Sequence, residues 1–111
     1  MYKRQSVNSA SEDGGGVFSY DDPLTIINST LSTNSAGSNG GGISSSNSTI
    51  TINNSTISVN YALLDGAGVH STNSSTTTIS SSTLLNNDSN GTGGAVFSNN
   101  SSATILSLIH I

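Results

Sequence analysis

Basic side chains are all but missing from this chain. Lys3 and Arg4 are the only two, against six carboxylates, for a net charge of −4. Neutralising phosphates takes clustered Lys and Arg, so nucleic acid is excluded as a partner. Attraction to an anionic membrane surface fails for the same reason. Cysteine is absent, which removes disulfides and thiolate metal sites and leaves the compartment open. Proline occurs once, at Pro23. No apolar run approaches the ~20 residues of a membrane helix, so direct membrane insertion is not expected. Nor does any window keep a 3.6-residue apolar period.

What fills the chain is Ser (25), Thr (13), Asn (14) and Gly (12), together 64 of 111 residues. These are poor helix formers, and polarity of this degree ordinarily reads as disorder. The placing of the few apolar residues argues the other way. Gly14-Gly15-Gly16-Val17 returns as Gly40-Gly41-Gly42-Ile43, as Gly66-Ala67-Gly68-Val69 and as Gly93-Gly94-Ala95-Val96, at steps of 26, 26 and 27 residues. Six residues before each start stands an asparagine: Asn8, Asn34, Asn60 and Asn87. Two independent markers held in register over four periods are the mark of a solenoid.

The repeat divides the chain into coils 14–39, 40–65 and 66–92, a partial coil 93–105, and the tail of an earlier one at 6–13. Each coil offers three short apolar runs, for example Val17-Phe18, Leu24-Thr25-Ile26 and Leu31-Ser32-Thr33. Their period-two alternation is that of strands with one buried face, and Gly, Asn, Ser and Asp cluster between them as turns. The extra residue of the third coil falls between Val69 and Ile79, where Asn73-Ser74-Ser75-Thr76 can absorb it. The expected fold is an all-β parallel β-helix with three strands per coil, each strand pairing with its copy about 4.8 Å along the axis.

Stacking turns positions into columns. The expected inward columns are Val17/Ile43/Val69/Val96, Leu24/Ile50/Thr77/Ala103, Ile26/Ile52/Ile79/Ile105, Leu31/Ile57/Leu84 and Thr33/Val59/Leu85. Gly14, Gly40, Gly66 and Gly93 open the coils with turns only glycine makes freely. The four asparagines should stack in a corner, each carboxamide donating to one neighbour and accepting from the other. Aligned aspartates there would repel.

Both ends break the pattern. Leu106-Ser107-Leu108-Ile109-His110-Ile111 reads as CTG TCT CTT ATA CAC ATC, which resembles the transposase mosaic end used in sequencing-library preparation. Met1-Tyr2-Lys3-Arg4-Gln5 reads as the same element on the other strand. Residues 1–5 and 106–111 are therefore expected to be read-through scars, and 6–105 a fragment of one β-helix domain. Those hundred residues hold all six carboxylates and neither Lys nor Arg, a net charge of −6.

The glycine starts followed by (Leu/Ile)-x-x-Asn-x-Ala resemble the two short motifs of polymorphic outer-membrane-protein repeats, and more widely the bacterial right-handed parallel β-helix repeats of the pectin-lyase-like superfamily. Gly14 to Phe18 with Leu31 to Ala36, Gly40 to Ile43 with Ile57 to Ala62, and Gly93 to Phe97 carry the resemblance. The third coil departs from it with Gly66-Ala67-Gly68 and Ser89. The resemblance implies right-handed coiling and a secreted or surface-displayed protein of adhesive or structural role.

Candidate sites are few. The superfamily includes polysaccharide lyases and hydrolases, but a lyase needs a basic residue that 6–105 lacks, and a hydrolase needs two carboxylates converging on one bond. Asp21 and Asp22 are adjacent and point apart on an extended backbone, while Asp65 and Asp88 lie on other turns. No catalytic residue and no cofactor is expected. Asp13, Asn39 and Asp65 form an oxygen-bearing column that could meet Ca²⁺, yet each also simply precedes a turn glycine, and successive coils spread the ligands too far for six to eight oxygens. His70 shares its column with Phe18, Ser44 and Phe97 and is expected at the surface. Thr25/Thr51/Thr78/Thr104 and Thr30/Thr56/Thr83 stack outward. Regular Thr arrays on β-solenoids can bind ice, although Ile27, Asn53 and Ser80 beside the first column are mixed. Asn28, Asn47 and Asn54 open glycosylation-acceptor triplets, as a Ser/Asn-rich composition makes common. The expected role is that of a structural or adhesive segment of a bacterial protein, extracellular or at the cell surface or outer membrane. Its partners would be flanking coils of the same chain and a host or glycan surface. The alternatives are a carbohydrate-active β-helix with its catalytic coils elsewhere, and an ice-binding solenoid.

Overall fold

A computed structural model describes residues 4–6, 8–106 and 109–110. The protein is an all-β parallel solenoid of about four turns, with no helix among the described residues. Four parallel sheets run along its axis, so each full coil lays down four strands rather than three. The first sheet stacks Val17–Tyr20, Ile43–Ser46, Val69–Thr72 and Val96–Asn99. The second stacks Leu24–Ile27, Thr49–Asn53, Thr76–Ser80 and Ser102–Leu106. The third stacks Arg4–Ser6, Thr30–Ser32, Thr56–Ser58, Thr83–Leu85 and Ile109–His110. The fourth stacks Ser9–Ala10, Ser35–Ala36, Tyr61–Ala62 and Asp88–Ser89. These last strands are two residues long and too short to show alternation, so apolar periodicity does not reveal them.

The register is that of the glycine repeat. Val17 pairs with Ile43, Ile43 with Val69 and Val69 with Val96, and Ile26, Ile52, Ile79 and Ile105 follow one another in the second sheet. Thr72 pairs with Ser46 while Thr76 pairs with Thr49. The third coil's extra residue therefore lies within 73–75, where Asn73 and Ser74 both take positive φ, 55° and 63°. Ile26, Leu31, Ile43, Ile50, Ile52, Ile57, Val69, Ile79 and Leu84 close into one buried core, with Val17, Leu24, Ala95 and Val96 packed against it. The backbones of Ala103 and Ile105 belong to the second sheet; their side chains, expected at the ends of two inward columns, lie outside the description.

Arg4 and Gln5 pair with Thr30 and Leu31, and Ile109 and His110 with Thr83 and Leu84. These residues, set apart by codon pattern, thus continue the third sheet; Met1–Lys3, Ser107, Leu108 and Ile111 lie outside the described residues. Ladder pairing uses backbone groups alone and is indifferent to where a segment comes from.

One expected column is wrong. Leu84 pairs with Ile57 and Leu85 with Ser58, so the residue in line with Thr33 and Val59 is Asn86, not Leu85. Nor does this column face inward. Thr33, Val59 and Asn86 have φ of 57°, 55° and 53°, and Val59 is 52% exposed. Each stands at a left-handed corner just before the stacked asparagine, which turns its side chain out of the core.

Such corners separate the strands throughout. Asp21, Asn47, Asn73 and Asn100 make one column of them, and Asn28, Asn54 and Ser81 another. Asn and Asp visit this region more readily than other residues with a Cβ, which explains their recurrence. The remaining corner is glycine: a Cβ on Gly40, at φ 67°, would press on the Ile43 carbonyl and come within 2.6 Å of Ser44 Cβ. Thr33 and Val59 are the misfits, β-branched residues in a conformation that costs L side chains about 1–2 kcal/mol, and Val59 has no polar group to offset it. Val59→Asn should therefore raise stability by about 1 kcal/mol, seen as a higher thermal midpoint by circular dichroism. An unchanged or lower midpoint would show that no strain resides there.

Candidate functional site

The most elaborate polar constellation is the asparagine corner. Asn34 and Asn60 are each 1% exposed. The backbone N–H of Asn8 donates to Asn34 Oδ1 at 3.1 Å, that of Asn34 to Asn60 Oδ1 at 2.9 Å, and that of Asn60 to Asn87 Oδ1 at 3.1 Å. The carboxamide nitrogens reinforce this: Asn8 Nδ2 donates to Asn34 Oδ1 at 3.1 Å and Asn60 Nδ2 to Asn87 Oδ1 at 3.0 Å. Asn60 Nδ2 also reaches the Leu31 carbonyl at 3.2 Å, and Asn87 Nδ2 the Ile57 carbonyl at 2.9 Å. Donor and acceptor are both needed at every rung, and the carboxamide supplies them as separate atoms, Nδ2 and Oδ1, which a carboxylate cannot do.

Asp13, Asn39 and Asp65 form a second ladder of the same kind, continued by Thr92. Asp13 Oδ1 accepts from Asn39 N at 2.8 Å and Nδ2 at 3.2 Å, and Asn39 Oδ1 accepts from Asp65 N at 3.1 Å. Asp65 Oδ1 accepts from Thr92 N at 2.7 Å and Oγ1 at 3.1 Å. The neutral amide between the two carboxylates keeps like charges two coils apart, which explains why aspartate is admitted here and not in the other corner. Oxygens so used tie coil to coil rather than converge on a common point. Among the described residues no group of three His, Cys, Asp or Glu side chains comes together as a metal site.

Two further ladders escape sequence reading. Ser29 N donates to Ser55 Oγ and Ser55 N to Ser82 Oγ, both at 3.1 Å. Ser48 N donates to Ser75 Oγ at 3.1 Å and Ser75 N to Ser101 Oγ at 3.2 Å. The hydroxyls turn back on carbonyls of their own coils, as Ser55 Oγ does on Asn53 O at 2.9 Å and Ser48 Oγ on Ser46 O at 3.0 Å. The signal was present as the spacings of 26 and 27 residues, but serine is too common in this chain for those spacings to stand out. One buried hydroxyl, Ser45 Oγ, has no partner among the described residues.

His70 is not a surface residue. It pairs with Ser44 and Phe97 in the expected column but is only 6% exposed. Its ring stacks on Phe97 with centroids 5.2 Å apart and planes 6° from parallel, and Nδ1 lies 3.4 Å from Ser44 Oγ. The phenyl ring from the next coil covers the imidazole, a contact that only stacking creates. Desolvation holds its pKa below the usual histidine value, against the raising pull of the Asp13 and Asp65 carboxylates. The unfolded chain then binds a proton that the folded chain resists. The His70 contribution to stability is thus complete above the unfolded pKa of about 6.5 and declines as pH falls below it. Thermal midpoints should drop between pH 7.5 and 5.5, and His70→Phe should flatten that part of the profile.

The threonine columns are in strict register, Thr25–Thr51–Thr78–Thr104 in the second sheet and Thr30–Thr56–Thr83 in the third. Asn28, Asn47 and Asn54, which open the acceptor triplets, are exposed at left-handed corners. Asn47 Nδ2 donates to Asp21 Oδ1 at 2.6 Å, and Asn54 Nδ2 to Asn28 Oδ1 at 2.5 Å. Of the carboxylates considered for catalysis, Asp21, Asp22 and Asp88 are exposed, and Asp65 is held in its ladder. Comparison with protein-family models, with curated proteins and with solved structures gave no match.

Proposed function

We propose that this chain is a stiff structural or adhesive segment of a secreted or cell-surface bacterial protein, with no catalysis of its own. One observation carries the reading: four columns of polar side chains beside the corners are spent on joining each coil to the next. The asparagine, Asp/Asn and serine ladders repeat the same bonds at each step. An interface that reproduces itself from coil to coil makes a rod that can be lengthened without redesign. Its outward Ser, Thr and Asn away from the second sheet would meet a host or glycan surface, and its two ends flanking coils of the same chain. The resemblance to outer-membrane-protein repeats and to the pectin-lyase-like superfamily, with right-handed coiling, belongs to this reading.

Pulling single molecules of the full chain by its two ends tests it. A spacer should resist and then yield in steps of about 9 nm, one 26-residue coil at a time at ~3.4 Å per residue. Featureless extension at low force would defeat the proposal. Release of new reducing ends or unsaturated products from polygalacturonate would favour a carbohydrate-active role instead.

A further inference from the structure

We infer that the outward face of the second sheet is a binding surface for an ordered water lattice, that is, for ice. The structure places a second hydroxyl column, Thr49–Thr76–Ser102, beside Thr25–Thr51–Thr78–Thr104. Coils two and three therefore each present a Thr-x-Thr pair, and coil four presents Ser102-x-Thr104. This array differs from the ladders described above. Among the described residues, the side chains of Thr25, Thr49, Thr51, Thr76 and Thr78 hydrogen-bond no other residue. Thr25, Thr49 and Thr76 are exposed, and Thr51 and Thr78 are half-buried. The four strands, LTII, TITIN, TTTIS and SATIL, contain no ionisable group. In a chain of net charge −4, a charge-free face offers nothing to a cationic or anionic partner and suits a neutral one.

The spacing selects which neutral partner. Copies in adjacent coils lie about 4.7–4.9 Å apart, and the two threonines of a pair about 6.6–6.8 Å. A water bonded to two oxygens at ~2.8 Å across a tetrahedral angle spans about 4.6 Å. One tetrahedral water therefore fits between each hydroxyl and its copy in the next coil, and the columns template a row of such waters. Threonine is the side chain for this work. Its β-branching restricts χ1, so hydroxyl and methyl hold their directions while the lattice forms.

The test is uptake of the full 111-residue chain into slowly growing ice, quantified in the melted ice and in the remaining liquid. The chain should be enriched in the ice several-fold over a protein of similar size without such a face. Thr51→Lys/Thr78→Lys should fall to that background. Thr51→Val/Thr78→Val, which keeps strand propensity and the methyls, should fold by circular dichroism and still lose uptake several-fold. Thr56→Val/Thr83→Val on the third sheet should retain it. Exclusion of the parent chain from ice would overturn the inference. So would unchanged uptake of the Thr51/Thr78 valine variant, or equal loss in the third-sheet variant. Retention on crystalline cellulose or chitin without uptake into ice would also overturn it and reassign the face to a glycan.

Discussion

Replacing Asn60 with alanine is expected to destabilise the protein by about 3 kcal/mol, read as a shift in the urea unfolding midpoint at unchanged slope. The Asn34 N–H loses its acceptor, the Leu31 carbonyl loses a donor, and the carboxamide bond to Asn87 disappears. Water cannot replace these partners at a position 1% exposed. An orphaned buried polar group costs roughly 1–3 kcal/mol, so the loss exceeds that of one ordinary hydrogen bond. Asn60→Asp separates the two roles of the side chain. It keeps an acceptor for Asn34 N–H but sets a carboxylate against Asn87 Oδ1 and Leu31 O, where a donor is required. It should therefore also destabilise at neutral pH. A cost below about 0.5 kcal/mol for both variants would show that the ladder contributes little to holding the coils together.

Ile52→Ala should be equally damaging, by about 2–5 kcal/mol. Ile52 is fully buried in the central core, paired with Ile26 on one side and Ile79 on the other. Truncation removes apolar burial and leaves a gap that stacked backbones, tied by ladders on every side, cannot close. In a quasi-one-dimensional fold both interfaces of the second coil weaken together, and single domains have only about 5–15 kcal/mol to lose. The expected signature is a lower midpoint for the whole transition, possible to distinguish from local fraying by hydrogen exchange at Ile26 and Ile79. A loss under 1 kcal/mol would contradict a closed core at this level.

These two predictions rest on features that recur once per coil, and those were the features open to sequence reading. Ile26, Ile52 and Ile79 are spaced by the period, as are Asn34, Asn60 and Asn87. Any side chain repeated in register must meet its own copy once strands stack about 4.8 Å apart. The columns of Val17, Leu24, Leu31 and their copies followed from the same reasoning. The one column misread, Thr33/Val59/Leu85, failed because counting apolar residues cannot show that φ turns positive at 33, 59 and 86. A corner residue that is apolar in one coil looks like core until the backbone conformation is known.

The sequence by itself determined the period, the parallel stacking, the inward columns other than Thr33/Val59/Leu85 and the asparagine corner, because each repeats and repetition survives in one dimension. Only the tertiary structure decided the fourth strand of each coil, the left-handed corners, the serine ladders, the burial of His70 and the idle hydroxyls of the second sheet. The two-residue strands carry no alternation, and the serines are lost in a serine-rich chain. His70 is covered by Phe97, 27 residues away. Whether a threonine hydroxyl is spent or free depends on which neighbours come within hydrogen-bonding reach when the coils close. Those facts are distances between residues on different coils, and a distance exists only after the chain has folded.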